Sequence, residues 1–231
     1  MLQERRGDLE LTKETLAVIG GTGNIGLGLA LRWADAGYDV IVGSRSDERA
    51  EQAAADINTK LTKGAVRGMA NEKAAQAADV VVMTVPFSAQ AGTLAQVHEG
   101  CQGKIVVDVT VPLVPPKVNR VQLPPEDSAA LITQAALGEN VRVVSAFQNV
   151  GADHLQHLGQ DIDCDVLVCG DNKDAREVVV RLAGAAGLRG VHAGSLANSV
   201  ASEALTSVLI WLNQRHKVTG SGIRITGIPS D

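Results

Sequence analysis

A doubly wound α/β fold, with a mainly parallel sheet and a smaller C-terminal α/β part, is predicted by three features of this sequence. Short β-branched runs alternate with helix-like segments from residue 16 onward. Those runs are continuously apolar rather than alternating, which marks strands covered on both faces. Aromatic residues make up only 2% of a chain that is 45% hydrophobic, so small and branched side chains must pack helices onto the sheet.

In order along the chain, strands are expected at residues 16–19, 39–42, 80–83, 104–107, 142–144 and 165–168. Helices are expected at 25–36, 47–59, 71–78 and 88–97, each opening near a polar capping residue. Residues 110–127 break the rhythm, because Pro112, Pro115, Pro116, Pro124 and Pro125 forbid regular helix or a central strand. That segment should be a surface excursion near the site. A helix is expected to resume over 126–137. After the strand ending at Ser145, a shorter half has its own helix and strand pattern. The last strong helix, 195–215, is read from the spacing of Leu205, Val208, Leu209 and Leu212. Three parts follow: an N-terminal extension at 1–14, a nucleotide-binding domain at 15–145, and a second-substrate and dimerisation part at 146–231.

Composition excludes several classes of function. With 231 residues the chain can bury a proper core, and its net charge of -5 offers no basic field for nucleic acid. The longest apolar runs fall far below the roughly 20 residues that span a bilayer, so a soluble protein is expected. The charged start lacks the apolar core of a secretory signal. Cys101, Cys164 and Cys169 show no metal-ligand spacing and suit reduced thiols in the cytoplasm.

The strand at 16–19 runs directly into Gly20, Gly21, Thr22, Gly23, Asn24, Ile25 and Gly26, and then into a helix. Gly21, Gly23 and Gly26 have the dinucleotide-binding spacing of a Rossmann-type fold. One permits the tight turn, the next lets main chain approach a pyrophosphate, and the third lets the helix pack on the strand. Main-chain N–H groups at the helix start then face the phosphates. Thr22 and Asn24 can add polar contacts. The bland alternative is an ordinary strand-to-helix turn.

The second strand ends in Gly43, Ser44 and Arg45, where an NAD-selective site would carry Asp or Glu against the ribose 2′-hydroxyl. Ser44 can donate to a 2′-phosphate, Arg45 can stack on adenine while pairing with it, and Arg49 returns one helical turn later. NADP(H) is therefore the expected cofactor. Asp47 and Glu48 intervene, and the competing reading is an acidic first helical turn with solvated arginines.

Together with Thr84-Val85-Pro86, Val144-Ser145-Ala146, Val168-Cys169-Gly170-Asp171 and Ala193-Gly194-Ser195-Leu196-Ala197-Asn198-Ser199, these motifs carry a likeness over most of the chain. The sequence resembles the NADPH-dependent reductases of coenzyme F420 and, more distantly, the nucleotide-binding domain of the STEAP ferric reductases. The resemblance implies that Thr22, Ser44, Arg45 and Arg49 hold NADP, and that Thr84, Val85 and Pro86 pass beneath the dinucleotide. It also implies a deazaflavin stacked on the nicotinamide, in a pocket shaped by Ala146, Gln148, Asn149 and Val150 and by Leu196, Ala197 and Asn198. A homodimer is implied as well. Gln148 stands where members that handle the deazaflavin often carry His, and either side chain can hydrogen-bond a ring carbonyl.

Hydride transfer between two ring systems needs positioning and exclusion of water more than an acid or base. No catalytic side chain is expected. Tyr38, the only tyrosine, lies at the start of the second strand and reads as packing, against a Tyr-Lys dehydrogenase. His154 and His157 are three residues apart without a third ligand, so no metal is expected. Asp171 is expected to cap the next helix and Ser195 the last one. Gln148 leaves open NADPH-dependent reduction of another acceptor, whether flavin, quinone, ferric chelate, small imine or ketone. The missing acid/base pair leaves open a non-catalytic NADPH-sensing module.

Overall fold

The computed structural model describes residues 13–228. β1 (Leu16–Ile19) leads into α1 (Asn24–Asp35), β2 (Val40–Ser44) into α2 (Asp47–Asn58), β3 (Val66–Ala70) into α3 (Asn71–Ala77), and β4 (Val80–Met83) into α4 (Phe87–Cys101). β5 (Ile105–Asp108) is followed by a long irregular excursion and α5 (Ala129–Leu137), then β6 (Arg142–Ser145) and α6 (Ala152–Leu155). β7 (Asp165–Gly170), α7 (Lys173–Ala185), β8 (Arg189–His192), a 3-10 turn at Leu196–Asn198 and α8 (Ser199–His216) complete the described chain.

All eight strands form one sheet in the order β3, β2, β1, β4, β5, β6, β7, β8. Neighbours run parallel except β6 and β7, which pair antiparallel at Val144 with Gly170 and Ser145 with Cys169. The continuous apolar runs have the cause the sequence predicted. Leu16, Val18, Val80 and Val82 join a core with Leu29, Trp33, Val179 and Leu182 of α1 and α7. Ala17, Ile19, Val81 and Met83 join the opposite core with Ala74, Leu94 and Val97 of α3 and α4. Alternate residues thus enter different layers, and both must be apolar.

The core on the α1 face runs past residue 145. The Trp33 ring meets Phe147 edge-on at 5.8 Å, and its indole N–H donates to the Leu182 carbonyl at 2.8 Å. The expected N-terminal extension at 1–14 lies outside the described residues except for its last two. Of these, the Lys13 ammonium sits 5.0 Å above the Tyr38 ring, and Glu14 pairs with Arg181 at 2.9 Å.

Several boundaries differ from the sequence reading. β3 and β8 were not expected as strands. Both are sheet edges, so their sequences, VRGMA and RGVH, lack an apolar run. At Gly68 a side chain would come within 2.2 Å of the Ala50 main chain, so β3 packs against α2 through a bare backbone. α5 begins at Ala129 rather than 126, because Ser128 caps it by accepting from the Leu131 N–H at 3.1 Å. α8 begins at Ser199, and Ser195 makes no side-chain cap. Asp171 does not cap α7. Asn172 does so, accepting from the Ala175 N–H, while the Asp171 carboxylate turns to the Leu196 N–H at 3.0 Å. The Pro-rich excursion lies along α8, where Ser207 donates to the Arg120 carbonyl and Asn119 to Gln214.

Candidate functional site

β1 pairs with β2 on one side and β4 on the other, so the connections leaving β1 and β4 diverge and open a crevice at the C-terminal ends of the strands. A cleft of about 570 Å³ occupies this place. The glycine turn forms its floor with Gly20, Thr22, Gly23, Asn24 and Ile25, and Ser44 and Arg45 stand at one end. Thr84, Val85 and Pro86 line another side.

Each glycine has a separate steric reason. Gly20 has φ +72, and a side chain there would run into Val85 at 2.4 Å. A Cβ on Gly21 would lie 2.7 Å from the Val18 carbonyl oxygen, and one on Gly26 2.6 Å from Thr84 Oγ1. Gly23 differs: the nearest atom to its ideal Cβ is the Gly20 carbonyl oxygen at 3.8 Å. Its bare side therefore serves the cleft rather than the packing. No acidic residue sits in the first turn of α1, and no side chain caps it, so its N–H groups and positive dipole end are left for an anion.

At the end of β2, Ser44 is buried and Arg45 is exposed. The nearby Asp47 does not compete for the arginine. Lys73 binds one of its oxygens at 2.8 Å and the Ala70 N–H donates to the other at 2.7 Å, which holds its carboxyl below the usual range. Arg49 does not line the cleft; its side chain is exposed on α2, and its N–H caps back to Ser46 Oγ at 3.4 Å. Thr84 donates to the Ile19 carbonyl at 2.9 Å, tying the β4 exit to the glycine turn.

The segment after β6 is buried, and Ala146, Gln148, Asn149 and Val150 do not line the cleft. Ala146 is fully buried, Asn149 donates to the Ser202 carbonyl at 2.8 Å, and Val150 packs in the core on the α1 face. Gln148 donates through its side-chain amide to the Asp108 carbonyl at 2.8 Å and to Ser145 Oγ at 2.9 Å, while its side-chain oxygen Oε1 is buried without a partner among the described residues. Phe147 takes φ +72 to make this turn. The three cysteines are buried, and burial raises each thiol, Cys101 and Cys169 to about 11, which makes them inert packing residues.

Sequence reasoning missed Asn71, Thr93 and Ala152, which also line the cleft. Asn71 Oδ1 accepts from the Gly20 N–H at 3.4 Å. It also missed two buried carboxyls. Asp108 accepts from Thr133 at 2.5 Å, Gln90 at 3.1 Å and the Thr110 N–H at 2.8 Å, and burial raises its pKa. Glu203, reaching from α8, accepts from the Ala129 and Ala130 N–H groups at the start of α5, at 2.7 and 3.1 Å. Burial above all pushes it up to about 8.

Glu203 therefore holds its proton more firmly in the folded chain, where it titrates near 8, than at its ordinary 4.5. Stability should fall as pH rises through that window, because the folded state binds the extra proton there. Denaturant unfolding of Glu203→Gln, which cannot titrate, should show a decline shallower by at least about 1 kcal/mol over the window. Parallel curves for the two proteins would contradict the assignment.

Comparison with known proteins adds four likenesses. Residues 15–112 match the family model described as NADP oxidoreductase coenzyme F420-dependent. The F420-dependent NADP reductase of Methanocaldococcus jannaschii is 41% identical over 221 residues, covering 92% of this chain and 98% of that protein. Metalloreductase STEAP3 of Rattus norvegicus is 31% identical over 201 residues, which are 85% of this chain and 37% of that one. Among solved structures, one from Arthrobacter sp. FB24, described provisionally as an F420-dependent NADP-reductase, superposes with a TM-score of 0.78 at 25% identity, covering 93% of this chain and all of that one.

Proposed function

The chain belongs to the coenzyme F420-dependent NADP reductases, and from that premise we propose how its own residues serve the reaction. The protein is an oxidoreductase that transfers a hydride between NADP(H) and coenzyme F420. The observation that carries the residue assignment is the cleft itself: a glycine, Gly23, whose bare side would meet nothing nearer than 3.8 Å, with Ser44 and Arg45 in place of a carboxylate at the end of β2.

The turn of Gly20, Gly21, Thr22, Gly23, Asn24, Ile25 and Gly26 cradles the pyrophosphate, with N–H groups at the start of α1 as its donors. Ser44 and Arg45 take the 2′-phosphate, and Arg49, one turn along α2, adds long-range attraction. Thr84, Val85 and Pro86 support the nicotinamide end. Ala146, Gln148, Asn149 and Val150 set the shape of the pocket behind it, Gln148 through its bonds to Asp108 and Ser145. Bound NADPH supplies the hydride. The protein's part is to keep the donor and acceptor rings close and water out, and it uses no acid or base of its own.

Residues 15–145 serve NADP, and residues 146–231 serve the second substrate and dimerisation. Exposed Val208 and Trp211 on α8, beside exposed Val121 and Leu123, support a homodimer, which sedimentation would test. No helix among the described residues is long and apolar enough to cross a membrane. The three free, buried thiols support a cytoplasmic site of action. A net charge of -5 supports small redox substrates rather than nucleic acid.

The reading is tested by mixing purified protein with NADPH and F420. The deazaflavin absorbance should be lost only when both are present. A band unchanged by enzyme would overturn it.

A further inference from the structure

Near the end of α1 lies a buried cation that the binding scheme above does not use. Arg32 is only 6% exposed, and all five of its recorded acceptors are main-chain carbonyls. Nε donates to Leu155 at 3.2 Å and Nη1 to Ala186 at 2.9 Å. Nη2 reaches His154 at 3.0 Å, His157 at 2.7 Å and Gln160 at 3.2 Å. Four of the five carbonyls belong to one stretch, residues 152–160, which is α6 and the irregular chain after it.

That stretch is the continuation of the cleft's wall. Its first helical residue, Ala152, lines the cleft. Gln156 Nε2 donates to the carbonyl of Asn24, within the glycine turn, at 2.6 Å. Leu155 presses so closely on α1 that a Cβ on Gly28 would come within 2.4 Å of its Cβ. The wall and the phosphate-binding helix are thus joined at three levels: Gln156 at the start of α1, Gly28 in its middle and Arg32 in its last turn. The segment shows little regular structure of its own, so its carbonyls need a donor from elsewhere. A planar guanidinium can serve several at once, which an ammonium cannot.

The geometry points to Arg32 as a positioning residue for hydride transfer. It fixes residues 152–160 against α1 and so sets the spacing between the glycine turn and a cleft wall that belongs to the part of the chain proposed above to serve the second substrate. Arg32 touches neither substrate, and the inference rests on the hydride-transfer reading given above. Its expected signature is a slower transfer step with nearly unchanged NADP affinity, because the groups that hold the dinucleotide stay in place while the acceptor side loosens.

The test compares wild type with Arg32→Lys, Arg32→Met and Gln156→Ala. Single-turnover oxidation of bound NADPH by F420 gives the transfer rate, and titration with NADP gives affinity. The Arg32→Met rate constant should fall roughly 10- to 100-fold, with NADP affinity changed less than about threefold. Arg32→Lys should fall between. A smaller folded fraction would shrink the amplitude of the turnover and leave its rate constant alone. Should Arg32→Met fail to fold, Arg32→Lys and the half-exposed Gln156→Ala still decide, each with a lowered rate constant at near-normal NADP affinity. Wild-type rate constants in the folded variants, or losses confined to NADP affinity, would overturn the inference. Failure of wild type itself to reduce F420 would instead overturn the functional reading.

Discussion

Gly23→Val is expected to abolish binding of NADPH and NADH alike while the protein stays folded. The Cβ of a residue here would meet nothing nearer than the Gly20 carbonyl oxygen, an ordinary contact at 3.8 Å, yet a valine side chain fills the space a pyrophosphate needs. Affinity for both cofactors should drop by at least about 100-fold, a loss of about 2.7 kcal/mol or more. Gly26→Ala makes the control, because its Cβ would come within 2.6 Å of Thr84 Oγ1 and 2.7 Å of Gly21 Cα. That change should lower unfolding stability by roughly 1–3 kcal/mol. Calorimetric titration and denaturant unfolding of the two variants separate the roles. Retained cofactor binding by folded Gly23→Val would mean that the turn does something else.

Arg45→Asp should reverse cofactor preference. The substitution puts repulsion where the 2′-phosphate of NADPH is paired, and it recreates the carboxylate that favours a free ribose hydroxyl. Affinity for NADPH is expected to fall about 100-fold, and that for NADH to change less than about threefold. Asp47 does not confuse the outcome, since Lys73 and the Ala70 N–H already engage its two oxygens. Equal losses for the two cofactors, measured side by side, would remove Arg45 from the phosphate site.

What the sequence discloses follows from which contacts are local. β1 and β4 are legible because each residue enters one of two apolar layers, which leaves an unbroken run of Val, Ile, Leu and Met. β3 and β8 are illegible for the converse reason: they are edges, and Gly68 and Gly190 are chosen for helix contact rather than hydrophobicity. The glycine turn, Ser44 and Arg45 are legible because their function depends on neighbours within a few residues. Thr84 to Pro86 gain meaning through the resemblance, and Val85 is then found against Gly20 and Thr84 against Gly26.

Asn71, Thr93 and Ala152 reach the cleft only through sheet topology, and no local pattern marks them. Arg32 is a stronger case. In a helix next to Trp33 it reads as a solvated basic residue of the last turn, and only chain more than 120 positions away buries it. Glu203 is likewise an ordinary helical acid until α8 lays it across the start of α5. Asp171 shows the limit of cap prediction. The residue after it takes the helix, and the carboxylate is drawn instead to a main-chain N–H at the turn before α8.

The most direct test of the account follows the hydride itself. NADPH carrying deuterium at both C4 positions is incubated with the purified protein and F420 in ordinary water, and the reduced deazaflavin is examined by mass spectrometry and NMR. One deuterium should appear at the acceptor carbon of each reduced F420, because a hydride passed directly from the donor carbon to the acceptor carbon never becomes a proton that solvent can exchange. Reduced F420 carrying only solvent hydrogen at that carbon, or no reduction at all, would contradict the account.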